Sequence, residues 1–172
     1  MMILCLMFFV AATGGAAAES DGYTWGPVRF QASVTLSQPL DIGRDAAALL
    51  YPADAALGQT DIEITLALAS PRMKATLEMN DVDLFAYLKT TFMGLGGPPQ
   101  KSVTRTFLDN AVTGERHHHT IPRPSAVEVY CVPLSDGGSL MVGFTFREGF
   151  DPAAAEALMD AVASSMTEIQ KP

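Results

Sequence analysis

The sequence predicts an α+β fold in which an antiparallel sheet of about six strands carries helices packed on its faces. Three observations predict it. Several stretches alternate apolar and polar side chains with the period of two that marks a strand buried on one face. Two stretches, starting near Asp81 and Asp151, carry apolar residues at helical spacing behind a capping residue. The strand-like stretches follow one another through short turns, which join antiparallel neighbours; parallel strands need long crossovers.

Taken in order, residues 19–27 carry Gly22, Gly26 and Pro27 and read as a lead-in. Residues 28–36 (VRFQASVTL) alternate as a strand. Residues 37–59 hold Pro39, Gly43 and Pro52 around a short apolar run from Ala46 to Leu50. They read as a loop containing one or two helical turns. Residues 60–69 place Ile62, Ile64, Leu66 and Leu68 on one face and form the clearest strand. Asn80 or Asp81 caps a helix whose first turn carries Asp81 and Asp83, where the helix dipole favours negative charge. Val82, Phe85, Leu88 and Phe92 recur along it, and Gly94 is a natural stop. Gly96 to Pro99 forms a linker. Residues 103–108 and 115–121 read as two strands of a hairpin or meander. Residues 126–134 and 139–146 flank Ser135-Asp136-Gly137-Gly138, and Asp-Gly between strand-like runs is a hairpin signal because both positions tolerate positive φ. Asp151 caps the last helix and Pro152 takes its first turn, where a missing N–H costs nothing. Ala155, Leu158, Met159, Val162, Met166 and Ile169 form its apolar stripe.

The N-terminus bears on compartment. Residues 1–18 contain no charged side chain, run apolar from Met2 to Ala12, and end in Gly14-Gly15-Ala16-Ala17-Ala18. An apolar core of that length followed by small residues reads as a secretory signal peptide. A membrane anchor needs about twenty apolar residues, and the side chains from Thr13 onward are too small to extend one. Residues 19–172 then form a single domain, and the protein is expected to be exported, to the periplasm or beyond, with no stable membrane span after cleavage.

Composition narrows the function. The chain carries 19 acidic and 11 Lys or Arg residues, a net charge of −8. That balance argues against nucleic acid, whose phosphates require clustered Lys and Arg, and against anionic lipid surfaces. Of the two cysteines, Cys5 leaves with the signal, so Cys131 remains alone and no disulfide, thioredoxin-type pair or cysteine-rich zinc site is available. The stability of the fold must then come from its core.

The order strand, strand, helix, four strands, helix resembles the PsbP-like α/β sandwich, a superfamily that includes DcrB-like bacterial envelope proteins. The resemblance rests on Thr113-Gly114 leading into a strand, on the hairpin VEVYCVPLSDGGSLMVGFTF, and on the last helix with its VASSM stretch, and it spans about residues 28–169. It implies a small exported or lipid-anchored protein without catalytic machinery, acting as an accessory or binding subunit. The PsbP proteins of the oxygen-evolving photosystem dock through basic surface residues, and the acidity of this chain departs from that pattern. The resemblance carries over no functional residue.

Among side chains that could carry chemistry, His117-His118-His119 is the only dense group of metal-capable residues and includes every histidine. On a strand His117 and His119 share a face, with Glu115 in the same parity, and imidazoles two apart can ligate Zn, Cu or Ni. Glu128 or Cys131 could join from the next strand. The structural alternative is a set of histidines that hydrogen-bond neighbours such as Glu128. Cys131, within Val-Tyr-Cys-Val, reads as core packing, not a nucleophile. Residues 94–99 (GLGGPP) follow a helix and lead into prolines, so they stop a helix and do not cradle phosphate. Asp81 and Asp83 fall on different faces of their helix and read as helix-start charges. No Gly-x-Ser-x-Gly is present. Met159 and Met166, soft enough to suggest Cu(I), sit at core positions.

The reading that follows is an exported, non-catalytic binding or accessory protein of the bacterial cell envelope, with no cofactor and with another envelope protein expected as partner. That partner is expected to meet an open sheet face or the loops around Tyr51-Pro52 and Gly94 to Gln100. The alternative is a periplasmic metal-binding protein using His117 and His119.

Overall fold

A computed structural model describes residues 22–43, 46–120 and 123–169. The expected signal peptide lies outside them. The described residues form an α+β fold with three helices and two antiparallel sheets. In chain order the elements are β1 (Tyr23–Trp25), β2 (Val28–Phe30), β3 (Leu40–Asp41), β4 (Ala47–Leu50), β5 (Ile62–Ala69), α1 (Pro71–Leu77), α2 (Asp81–Met93), β6 (Lys101–Phe107), β7 (Asn110–His119), β8 (Ser125–Pro133), β9 (Ser139–Arg147), α3 (Pro152–Ser165) and β10 (Thr167–Glu168). The larger sheet has seven strands in the order β3-β4-β5-β9-β8-β7-β6, and a three-stranded sheet runs β1-β2-β10. The expectation of about six strands in one sheet therefore gives way to seven and three.

Alternate residues of the central strands enter two different clusters, as strand geometry requires. Tyr130 and Val132 of β8, and Leu140, Val142 and Phe144 of β9, pack with Phe30, Phe107 and the α3 residues Leu158, Met159 and Val162. Val127, Val129 and Met141, of opposite parity, pack with Ala47, Ala67, Ala69 and the α2 residues Leu84 and Leu88. The sheet is lined on both faces because its middle strands are apolar at nearly every position.

Three local expectations are corrected. Residues 46–50 are not helical: Ala47–Leu50 pairs antiparallel with β5, from Ala47↔Ala67 to Leu50↔Ile64. A five-residue segment is too short to hold a helix alone, and sheet pairing overrides its helical composition. The strand expected over 28–36 stops at Phe30. Ala32 and Leu36 are still buried, but Val34 between them is 38% exposed, so the alternation reported burial only in part. The backbone there bonds elsewhere: Gln31 N donates to Ser165 Oγ at 2.7 Å, Leu36 N to Tyr23 Oη at 2.7 Å and Ser37 N to Tyr51 O at 2.7 Å. On α2, Val82 is 77% exposed, and the buried residues are Leu84 and Leu88. The helix is rotated by part of a turn from the expected stripe, with Phe85, Phe92 and Met93 half-buried at its flanks.

The caps are as the sequence suggests. Val82 N and Asp83 N each donate to Asn80 Oδ1 at 2.9 Å, and Gly94 closes α2 in the left-handed region. Asp151 caps α3 with Pro152 in its first turn. The 134–138 turn joins β8 to β9, with Gly137 at φ +83° and Leu134 N donating to Gly138 O at 3.0 Å. Among the described residues, no helix is long and apolar enough to cross a membrane.

Candidate functional site

The α2 face of the sheet is only partly covered. Met93, in the last turn of α2, lies over β9 at Gly143, where a Cβ would stand 2.3 Å from the Met93 sulfur. A bare backbone at Gly143 is what lets the end of α2 sit down on the sheet. Beyond that contact the sheet continues without a helix above it, and a groove of about 330 Å³ opens. It crosses five strands: its floor takes Leu49 from β4, Thr65 from β5, Thr145 from β9, and Val127 and Ser125 from β8, and His119 of β7 closes one end. Neighbouring strands lie about 4.8 Å apart, so the groove runs roughly 19 Å from β4 to β7. Phe92 and Met93 form one wall, and Arg123 and Arg147 stand at the rim. Arg147 is held by Asp61, at 3.4 Å between Nη1 and Oδ1, and donates to Gly58 O at 2.9 Å.

The histidines divide as strand parity requires. His117 and His119 face the α2 side, and His118 is exposed beside Arg116 and Glu128 on the other. His117 is buried, and its Nε2 lies 2.7 Å from Glu115 Oε2. A carboxylate only accepts, so Nε2 carries the proton in this contact. Lys89 Nζ of α2 meets the same carboxylate oxygen at 2.5 Å. Burial pushes the Glu115 carboxyl up, but the hydrogen bonds and charges of Lys89 and His117 outweigh it and hold the group below its ordinary range. The partner expected for the histidines, Glu128, is thus replaced by Glu115. Glu128 and Cys131 do not converge on His117 and His119, and among the described residues no three of His, Cys, Asp and Glu are grouped to hold a metal. His117, His118 and His119 also border a recess of about 340 Å³ against the Gly94–Gln100 loop.

Sequence reasoning missed the densest polar cluster, which lies beneath α3. Glu128 is 3% exposed. It accepts from Tyr130 Oη at 2.5 Å and from Arg116 Nε at 2.7 Å, with Arg105 Nη2 at 3.5 Å. Arg105 also pairs with Asp160 and, at 2.8 Å, with Glu156, both on α3. Burial raises the Glu128 carboxyl, yet the Tyr130 and Arg116 hydrogen bonds and the two guanidinium charges bring it below the ordinary range. Burial and the Glu128 carboxylate push the Tyr130 phenol above its own range. These groups tie β6, β7 and β8 to α3, and they satisfy one another. A recess of about 280 Å³ beside them is lined by Phe146, Phe150 and Met159. The signal in the sequence was Glu128 and Tyr130 at even spacing inside an otherwise apolar strand.

Cys131 is half-buried, not the core residue its neighbours suggested. Burial raises its thiol pKa, partly offset by a hydrogen bond with Ser139, which keeps the thiolate scarce.

The sequence matches no protein-family model and no curated protein. Its fold is similar to that of a protein from Bacteroides thetaiotaomicron VPI-5482, whose crystal structure was determined at 1.50 Å. The two align with a TM-score of 0.51 at 9% identity, over 88% of this chain and 50% of that one. This chain therefore spans about half the length of that neighbour. At such identity the likeness is one of fold alone.

Proposed function

We propose that this chain is an exported, non-catalytic binding protein of the bacterial cell envelope, and that it holds its ligand or partner segment in the groove beside the end of α2. The observation that carries the reading is the groove itself. It is an elongated, mainly apolar depression of about 330 Å³ on a rigid sheet, with hydroxyl groups in its floor and charges at its rim. The groups with shifted acidity do not line it: Glu128, Tyr130 and Arg105 engage one another beneath α3, and Glu115 and Cys131 also lie outside the groove lining. That division favours binding over chemistry. The PsbP-like sandwich reading belongs to the same proposal and draws support from α2 and α3 packing on residues of opposite parity. Export draws support from the uncharged, apolar residues 1–18.

The test is native mass spectrometry of the untagged protein purified from a periplasmic extract, beside the variant Thr145→Trp, which fills the groove floor. A bound mass present on the wild type and lost from the variant is expected. A bare wild-type chain, or a mass that persists in the variant, overturns the reading.

The second reading, metal binding through His117 and His119, is favoured by their shared face with Glu115. The Lys89 ammonium on Glu115 and the proton on His117 Nε2 both weigh against it. Metal affinity unchanged in a His117→Ala, His119→Ala double variant would discard it.

A further inference from the structure

The groove is chemically polarised along its length. At the β3–β4 end stand Ile42, Leu49 and Phe92, all apolar. Ile42 is 41% exposed, and its neighbour Leu40 on the edge strand is 40% exposed, so apolar surface continues outward from that end. At the β7–β8 end stand His119, Arg123 and Ser125, with Arg147 next across the sheet through the Ser125↔Arg147 pairing. Thr65 and Thr145 lie between the two ends. Among the described residues the acidic side chains of the lining are Asp61 and Glu63; Asp61 is engaged by Arg147, and Glu63 of β5 lies opposite Thr145. In a protein of net charge −8, a concave site whose far end sets the guanidinium of Arg123 beside the imidazole of His119 is a local exception, while the Arg147 guanidinium is turned to Asp61 and Gly58.

We infer that the groove binds a single-chain amphiphile with an anionic head. The carboxylate or phosphate head lies against Arg123, with His119 and Ser125 beside it, and the apolar tail runs across the sheet toward Leu49 and Phe92. This rests on the groove reading and specifies its ligand. A guanidinium presents paired donors that suit the planar carboxylate and the phosphate alike. The tail removes the apolar floor and the Phe92–Met93 wall from water, and this supplies the non-directional part of the affinity. The head sets the orientation, because a neutral hydroxyl gains only an ordinary hydrogen bond from Arg123 and a cationic head is repelled by it.

The test is titration of the refolded, ligand-free mature chain with dodecanoate, dodecanol and dodecylammonium below their micellar concentrations. It is followed by amide chemical shifts and calorimetry, with phosphatidylglycerol vesicles as a separate arm. Dodecanoate is expected to bind at least tenfold more tightly than dodecanol and to shift Thr145, Val127 and Ser125. Arg123→Gln, an exposed substitution that leaves the core intact, is expected to remove most of that preference. Equal affinity for dodecanol, or a preference that survives Arg123→Gln, overturns the anionic-head assignment while leaving the groove as a binding site. Binding to vesicles without binding of free dodecanoate overturns it in favour of a membrane surface. If no probe binds, yet the protein as purified carries a mass that Thr145→Trp removes, the ligand class is wrong and the groove reading stands.

Discussion

Glu128 sits at the buried centre of the polar cluster beneath α3, with two arginines and a tyrosine converging on one carboxylate. Glu128→Gln keeps the shape and removes the charge, leaving Arg116 and Arg105 with only the exposed Glu156 as a shared counter-ion. Removing one member of a buried pair costs about 3 kcal/mol, and denaturant unfolding checks it. The pH dependence follows from the direction of the shifts. The carboxyls of Glu128 and Glu115 are both held below the ordinary value of 4.5 in the folded state. Their contribution is complete above that value and is lost as pH falls through their folded values. Stability is therefore expected to drop in acid, and Glu128→Gln to flatten that drop. At this scale the sequence was half legible. Strand parity placed His117 with Glu115 and apart from His118, because alternation is a property of the strand itself. It did not reveal that Lys89 would reach Glu115, nor that Arg105 and Glu156 would meet, since those contacts span 26 and 51 residues and depend on how helices settle on the sheet.

Two glycines decide how closely elements approach one another. Gly114 lies opposite Tyr130 in the β7–β8 ladder, and a Cβ there would stand 2.5 Å from the tyrosine ring and 2.5 Å from the Val129 carbonyl oxygen. At Gly143 the close neighbour is the flexible tip of Met93, with Thr65 Cβ at an ordinary 3.7 Å. Gly114→Ala is therefore expected to cost about 2 kcal/mol or more, and Gly143→Ala about 1 kcal/mol, because a methionine tip swings aside and a backbone carbonyl does not. Thermal unfolding of the two variants checks the order. Helix caps and the Asp136-Gly137 hairpin were readable, because each depends on residues within a few positions of one another. The strand β4 was not: Ala-Ala-Leu-Leu has no local preference for extension, and its partner β5 lies about fifteen residues further on. The seven-residue helix α1, begun by Ser70 and Pro71, also escaped, since it buries no side chain and leaves no periodic stripe.

For the whole molecule, the two-layered core and the acidic surface follow from composition and patterning, but the groove does not. It exists because α2 stops at Gly94 while the strands beneath it continue, a relation between a helix length and a sheet width that no single segment encodes. Thr65, Thr145 and Ser125 are polar positions on three separate strands, and only the register sets them on one diagonal across the sheet, each two positions along from the next. The resulting floor is rigid, because its strands are hydrogen-bonded on both sides, so a ligand is expected to find the site largely formed. The most direct measurement is hydrogen–deuterium exchange on the protein as purified and on the same protein after unfolding and refolding free of ligand. The account predicts that ligand removal loosens residues 123–127, 143–147 and the last turn of α2 and leaves the α3 side unchanged. Loss of protection at the Gly94–Gln100 loop alone, or beneath α3, would contradict it.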